Sequence, residues 1–230
     1  MTENPDYIHR SIQEVTDVML FDIYSPPVAS RIYAYISVAG YEAVINGNSK
    51  YLSLAGQLNG LKNLPKPDQH KQYSFNLAAA KAILSVGKKL VNSEGRIEDF
   101  QTKLMAEFKD TGMPDEVYDN SINYGNAVAK TVLAWAAADH YKQTRSLSKY
   151  DVQTDEQSWK PTPPAYFKAV EPNWNKIRPF VMDSAEQFKP LPAIPFSAKQ
   201  ESKFYKMALA VHDAGTHLSA EQQQIADLKG

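Results

Sequence analysis

The chain has 230 residues, 25 basic against 26 acidic, for a net charge of −1, and it is 43% hydrophobic and 22% charged. That balance suits a globular protein with a substantial core. It lacks the broad positive field that nucleic acid binding or a polybasic membrane patch requires, so neither partner is expected. With no cysteine, disulfides, thiolate metal sites and cysteine nucleophiles are excluded.

The periodicity is helical along most of the chain. In NPDYIHRSIQEVTDVMLFDIY, Asn4 is placed to cap and Pro5 to open a helix. Ile8, Ile12, Val15, Val18, Met19 and Ile23 then form an apolar stripe. Ser25 and the following prolines start a second helix, which the Asn-Gly-Asn at 46–48 ends. A short helix is expected near 49–58, then a linker with prolines at 65 and 67. YSFNLAAAKAILSVGKKLV reads as an alanine-rich helix, and SEGRIEDFQTKLMAEFKDTG as another with Gly112 past its end. The longest helix opens at Pro114. Its second half, Val128 to Ala138, is apolar almost all round and is expected to run through the middle of a bundle.

Residues 145–198 differ in character. Proline excludes helix interiors, and no period emerges in WKPTPPAYFKAVEPNWNKIRPF or FKPLPAIPFS. Trp159, Tyr166, Phe167, Trp174, Phe180 and Phe188 make the segment too aromatic for a disordered linker. An ordered strap with buried rings is expected. One more helix follows, ended by Gly215. Ser219 and Gln222 have the spacing of a capping box and open a last helix, with Gly230 as its C-cap. The reading is an all-α fold: a single helical domain over 1–230, with helices over 1–144, the strap over 145–198, and a helix plus the start of a further one over 199–230.

Candidates for chemistry are few. No His-Glu-x-x-His pair, glycine-rich phosphate loop or Gly-x-Ser-x-Gly elbow occurs among these residues. Asp213 and His217 stand four apart, but Gly215 is expected to end the helix between them. His140 beside Asp139 suits a helix C-terminus electrostatically. Asp139 and Asp151 are carboxylates that one sequence does not place in space. In NWNKIRPF, Lys176 and Arg178 offer two cations to an oxyanion. The competing reading is an Arg178 spent on a carboxylate or on backbone carbonyls, since two cations without further donors hold phosphate poorly. No catalytic, cofactor-binding or metal-ligating residue is assigned.

Two stretches carry a family likeness. DVMLFDIYSPPVASRIYAYISVAGYEAV (17–44) resembles the N-terminal helices of bacterial vanadium-dependent haloperoxidase homologues. SWKPTPPAYFKAVEPNWNKIRPFVMDSAEQFKPLPAIPFS (158–197) resembles the Trp-Pro-Thr-Pro-Pro strap of the same proteins, and the likeness runs on through EQQQIAD. The resemblance implies an all-α helical bundle related to the type-2 phosphatidic acid phosphatases. In that family an oxyanion pocket holds vanadate, or phosphate in the phosphatases. The pocket is built by a Lys, an Arg-Pro, a Ser-Gly-His and a final Arg and His, all in the C-terminal half.

This chain departs from that pattern. Ser-Gly-His is absent, and Gly-Thr-His stands at 215–217. Aligning Arg178-Pro179 with the family's Arg-Pro puts Glu171 where the lysine belongs. The chain is therefore expected to be the N-terminal half of such a protein and inert alone, with no cofactor in this chain. Its expected partner is the missing C-terminal half or a second copy. The alternative is a standalone helical module that binds a ligand through the aromatic strap. The resemblance leans toward an extracytoplasmic location. The visible start MTENPDYIHR lacks the order of a signal peptide, so either the protein is cytoplasmic or a leader lies upstream of Met1.

Overall fold

The computed structural model describes residues 4–229. Five long helices build the principal unit: α1 (Asp6–Phe21), α2 (Pro26–Val44), α3 (Phe75–Leu90), α4 (Glu94–Asp110) and α5 (Asp115–Ala137). The one-turn α6 (Tyr141–Thr144) follows, and α7 (Lys203–Thr216) and α8 (Ala220–Lys229) come last. No sheet forms among the described residues, so the fold is all-α as the periodicity implies. The chain divides into two units. One holds the residues up to Tyr150 together with Thr162–Gln187; the other holds Asp151–Pro161 and the chain from Phe188 onward.

In the first unit α3 is the axis. It packs against α1, α2, α4 and α5, and its alanines are the reason. Ala78, Ala79, Ala80 and Ala82 are fully buried beside Leu77, Ile83 and Leu84, so neighbours approach closely from every side. Gly125 of α5 marks the tightest approach: a Cβ there would stand 2.5 Å from the Ala78 carbonyl oxygen. The expectation that the end of α5 runs through the middle is corrected. Val128, Val132, Trp135 and Ala136 are buried, but Lys130, Ala134 and Ala137 face solvent. Alanine is apolar without demanding burial, so a run of alanines does not by itself mark an enclosed helix.

Local chemistry sets the helix ends. The Asn4 side chain accepts from the Asp6 N–H at 3.0 Å, so the cap works one residue ahead of the first helical turn. At the end of α1, Ile23 N–H donates to the Leu20 carbonyl and Tyr24 N–H to the Met19 carbonyl. This is a Schellman closure with Ile23 at the position that favours glycine. Ile23 adopts φ 54 and is 88% exposed, so it leaves the apolar stripe assigned to it by spacing.

The helix expected near 49–58 does not form. The buried Glu42 carboxylate accepts from Ser53 Oγ at 2.9 Å and from the Leu54 N–H at 2.5 Å. Gly56 and Gly60 turn at φ 79 and 76. A side chain and two left-handed turns thus replace the helical hydrogen bonds.

The second unit contains α7 and α8. The capping box opens α8: Ser219 Oγ accepts from the Gln222 N–H at 3.2 Å, and Gln222 Oε1 accepts from the Ser219 N–H at 2.8 Å. The C-cap read at Gly230 lies outside the described residues. Gly215 does not end α7, which continues to Thr216; nothing crowds Gly215, and a solvent-facing glycine weakens a helix without breaking it.

Candidate functional site

A cavity of about 730 Å3 in the first unit lies between α2, the end of α5 and the strap over 174–185. Its floor is charged. α2 supplies Arg31, the residue after Ala138 supplies Asp139, and the strap supplies Arg178. Asp139 is 1% exposed. Its carboxylate accepts from Arg31 Nε at 2.6 Å, from the Tyr35 hydroxyl at 2.8 Å and from the Tyr141 N–H at 2.8 Å. Its carbonyl accepts from the Arg178 N–H at 3.0 Å. A buried carboxylate that accepts three hydrogen bonds, one of them from a guanidinium, is the pattern that makes such a charge tolerable.

Arg178 points inward. Both of its terminal nitrogens donate to the Trp135 carbonyl at 3.1 Å, and one also donates to Tyr35 Oη at 3.2 Å. Its guanidinium lies 4.7 Å from the Trp135 ring centroid. Arg31 uses its remaining reach on the Ala136 carbonyl at 3.3 Å and stacks between Tyr35 and Tyr141. Burial first, and the adjacent Asp139 charge second, push the Tyr35 hydroxyl far above its ordinary pKa. It therefore stays protonated and donates at any physiological pH.

The strap is pinned over this floor. Phe180 packs against Tyr35 and Trp135, with ring centroids 5.4 and 5.3 Å away. The Asn59 N–H donates to the Phe180 carbonyl at 2.8 Å, and the Asn59 side chain to the Pro179 and Met182 carbonyls. The Asn59 carbonyl accepts from Trp135 Nε1 at 2.9 Å. One asparagine in a loop without periodicity thus ties the strap to the bundle. Trp174 and Phe180 pack on the core as expected of the strap's rings. Trp159, Tyr166, Phe167 and Phe188 are exposed instead, Phe167 at 78%. Prolines deny the segment a regular face, so its rings do not share one direction.

The other sequence candidates fall elsewhere. Lys176 is exposed, as are His140, Asp151, Asp213 and His217. His217 Nδ1 lies 2.8 Å from the Asp213 carbonyl, which is backbone closure and not a side-chain ligand pair. In the sequence Asp139 reads only as a neighbour of His140. The two part because His140 turns out at φ 71 while Asp139 points in. A signal was present: an acidic residue ending an apolar helix, where the dipole disfavours it, implies a specific cation. Arg31 is that cation, 108 residues away, beyond the reach of spacing.

The cavity does not fit a tetrahedral oxyanion such as vanadate. Most guanidinium donors are spent on Asp139, Tyr35 and backbone carbonyls, the one orphan, Arg178 Nε, is a single buried donor, no histidine lines the space, and Ile177, Pro179, Val181 and Met182 make its walls apolar. No group of three or more potential metal ligands occurs among the described residues.

No family model matches the chain, and no curated protein does. Among solved structures, a bacterial vanadium-dependent iodoperoxidase superposes with a TM-score of 0.87 at 45% sequence identity. The match covers 93% of this chain and 51% of that one, so the chain spans about half the length of that relative. Over nearly all of its own length, the chain is therefore a homologue of the bacterial vanadium-dependent haloperoxidases, all-α like the fold described above.

Proposed function

We propose that this chain is the non-catalytic helical part of a haloperoxidase-like enzyme. In this reading the oxyanion-binding residues come from a complementing C-terminal half, and this part braces and covers it. The observation that carries the reading is the state of the two arginines. Arg31 and Arg178 are the cations closest to an oxyanion pocket in character, yet most of their donors are taken by Asp139, Tyr35 and two backbone carbonyls, and the Arg178 Nε–H, which has no partner, is itself buried. An oxyanion site works through donors left free to meet developing charge. This floor holds the strap in place and has few donors to give.

The length of the relative supports the same reading, since about half of it has no counterpart here. The Ile177–Met182 wall is then the face on which the complementing half rests, its apolar area covered on assembly.

The test is vanadate-dependent iodide oxidation, iodide being the halide of the solved relative. The purified 230-residue chain is expected to show none at any vanadate concentration. Mixed with the unmatched half of the relative, it is expected to form a 1:1 complex with restored turnover. Vanadate-dependent turnover by the chain alone would overturn the reading.

A further inference from the structure

Helices α3, α4 and α5 enclose a second recess of about 340 Å3. Lys81, Ser85, Lys88 and Lys89 line it from α3 at spacings of four, seven and eight, which put them on one helix face. Lys130 lines it from α5 and Gln101 from α4.

The charges do not balance. Lys88 Nζ pairs with Glu98 and Lys89 Nζ with Glu94, each at 2.9 Å. Among the described residues Lys81 and Lys130 have no ion pair, which leaves the four lysines and two glutamates with two positive charges in excess. Lys81 is only half-exposed, and its ammonium is held below its ordinary pKa, first by burial and then by repulsion from Lys88, with Glu98 opposing. The bundle alone thus keeps a cation where desolvation and a like charge both disfavour it. An anion between Lys81 and Lys130 removes both costs.

Gln101 adds an independent sign. Its Oε1 is buried and has no hydrogen-bond partner. A buried acceptor asks for a donor, which a bare oxyanion lacks and a hydroxyl supplies.

We propose that this recess binds a small hydroxylated phosphate monoester, with phosphoryl oxygens on Lys81 and Lys130 and a ligand hydroxyl donating to Gln101 Oε1. Two excess positive charges match the dianion. The volume accommodates a molecule of three to six carbons and little more. The proposal stands whether or not the chain has a complementing half.

Calorimetric titration of the 230-residue chain with glycerol 3-phosphate and with inorganic phosphate tests it. One site is expected for glycerol 3-phosphate, with affinity falling as salt rises. Inorganic phosphate is expected to bind about tenfold more weakly for want of a carbon-borne hydroxyl set apart from the phosphoryl group. The exposed Lys130→Gln, chosen because it does not touch the core, is expected to weaken both ligands at least tenfold. Gln101→Leu is expected to erase the preference for glycerol 3-phosphate over phosphate. No binding of either ligand at 10-millimolar order would overturn the site. So would affinities that Lys130→Gln leaves unchanged, since the anion would then sit elsewhere. Equal affinities for the two ligands in the unaltered chain would overturn the hydroxyl contact.

Discussion

The α1–α5 bundle and the α7–α8 unit are written in the same helical code, yet they differ in what covers them. α3 buries nine of its sixteen residues, whereas α7 buries none of fourteen. Both have apolar positions at helical spacing: Leu77, Ala80, Leu84 and Gly87 in one, Phe204, Met207 and Val211 in the other. The first set is fully enclosed, while Met207 and Val211 are 53% and 74% exposed. Period specifies a helix and a face. It does not specify a partner, and most helical stability in proteins comes from the partner.

The bundle's own strength is tested first at the buried Arg31–Asp139 ion pair. Asp139→Ala leaves Arg31 buried without its carboxylate and removes acceptors from Tyr35 and the Tyr141 N–H. A loss of about 3–5 kcal/mol is expected, read by urea denaturation. Arg31→Met combined with Asp139→Ala should recover part of it, because no uncompensated charge remains. If Asp139→Ala costs under about 1 kcal/mol, the node is solvated and does not brace the bundle.

Alkali attacks the same bundle through its tyrosines. Tyr124 is pushed up to about 12, first by burial, with Glu42 and Tyr73 adding and the Asn46 hydrogen bond opposing. The folded state therefore keeps a proton that the unfolded state gives up near the ordinary value of 10. Stability from this group is complete below pH 10 and is lost as pH climbs toward 12. Tyr35, also raised, adds to the fall. Tyr124→Phe is expected to flatten the curve of unfolding free energy against pH above 10. An unchanged slope would show that this phenol is hydrated.

These residues show how far the sequence could be read. The caps, the turn at Gly112, the α8 capping box and the irregular strap over 145–198 were legible, because each rests on neighbours in the chain. The floor of the cavity was not. Arg31 and Asp139 are 108 residues apart, and Asn59 reaches the strap across 120. Neither loop geometry nor spacing encodes such a meeting. Arg178 was legible in kind, as an arginine that spends itself on carbonyls, though not in which carbonyl it meets. The helix expected at 49–58 failed because Glu42 of α2, outside the segment itself, takes the Leu54 N–H.

Smaller effects follow at the backbone. Gly125→Ala sets a methyl against the Ala78 carbonyl oxygen, so α3 and α5 must part. A cost of about 1–3 kcal/mol is expected, with the thermal midpoint lowered accordingly. Ile23→Gly works the other way. Ile23 is exposed in a left-handed conformation that penalises a β-branched residue, and glycine there should add about 1 kcal/mol. A loss at Ile23→Gly would mean that the side chain makes a contact worth more than its strain.

The smallest expected effect tests the comparison itself. Met207→Ala and Val211→Ala truncate side chains as apolar as those of α3, yet each should change unfolding free energy by no more than about 0.5 kcal/mol in the chain alone. Leu84→Ala in α3 should cost about 2–5 kcal/mol, because its methyls leave a cavity that rigid neighbours do not fill. A large cost at Met207 would mean that α7 is covered in solution, and the contrast between the units would fail. A null result sharpens the contrast only when it is measured again with the complementing half present. If that half covers α7, Met207→Ala and Val211→Ala should then weaken the complex, while Leu84→Ala should weaken it only as far as it unfolds the bundle. The same residues would thus be silent in one state and costly in the other, as expected of an apolar helix face whose stabilising contacts are made by a partner.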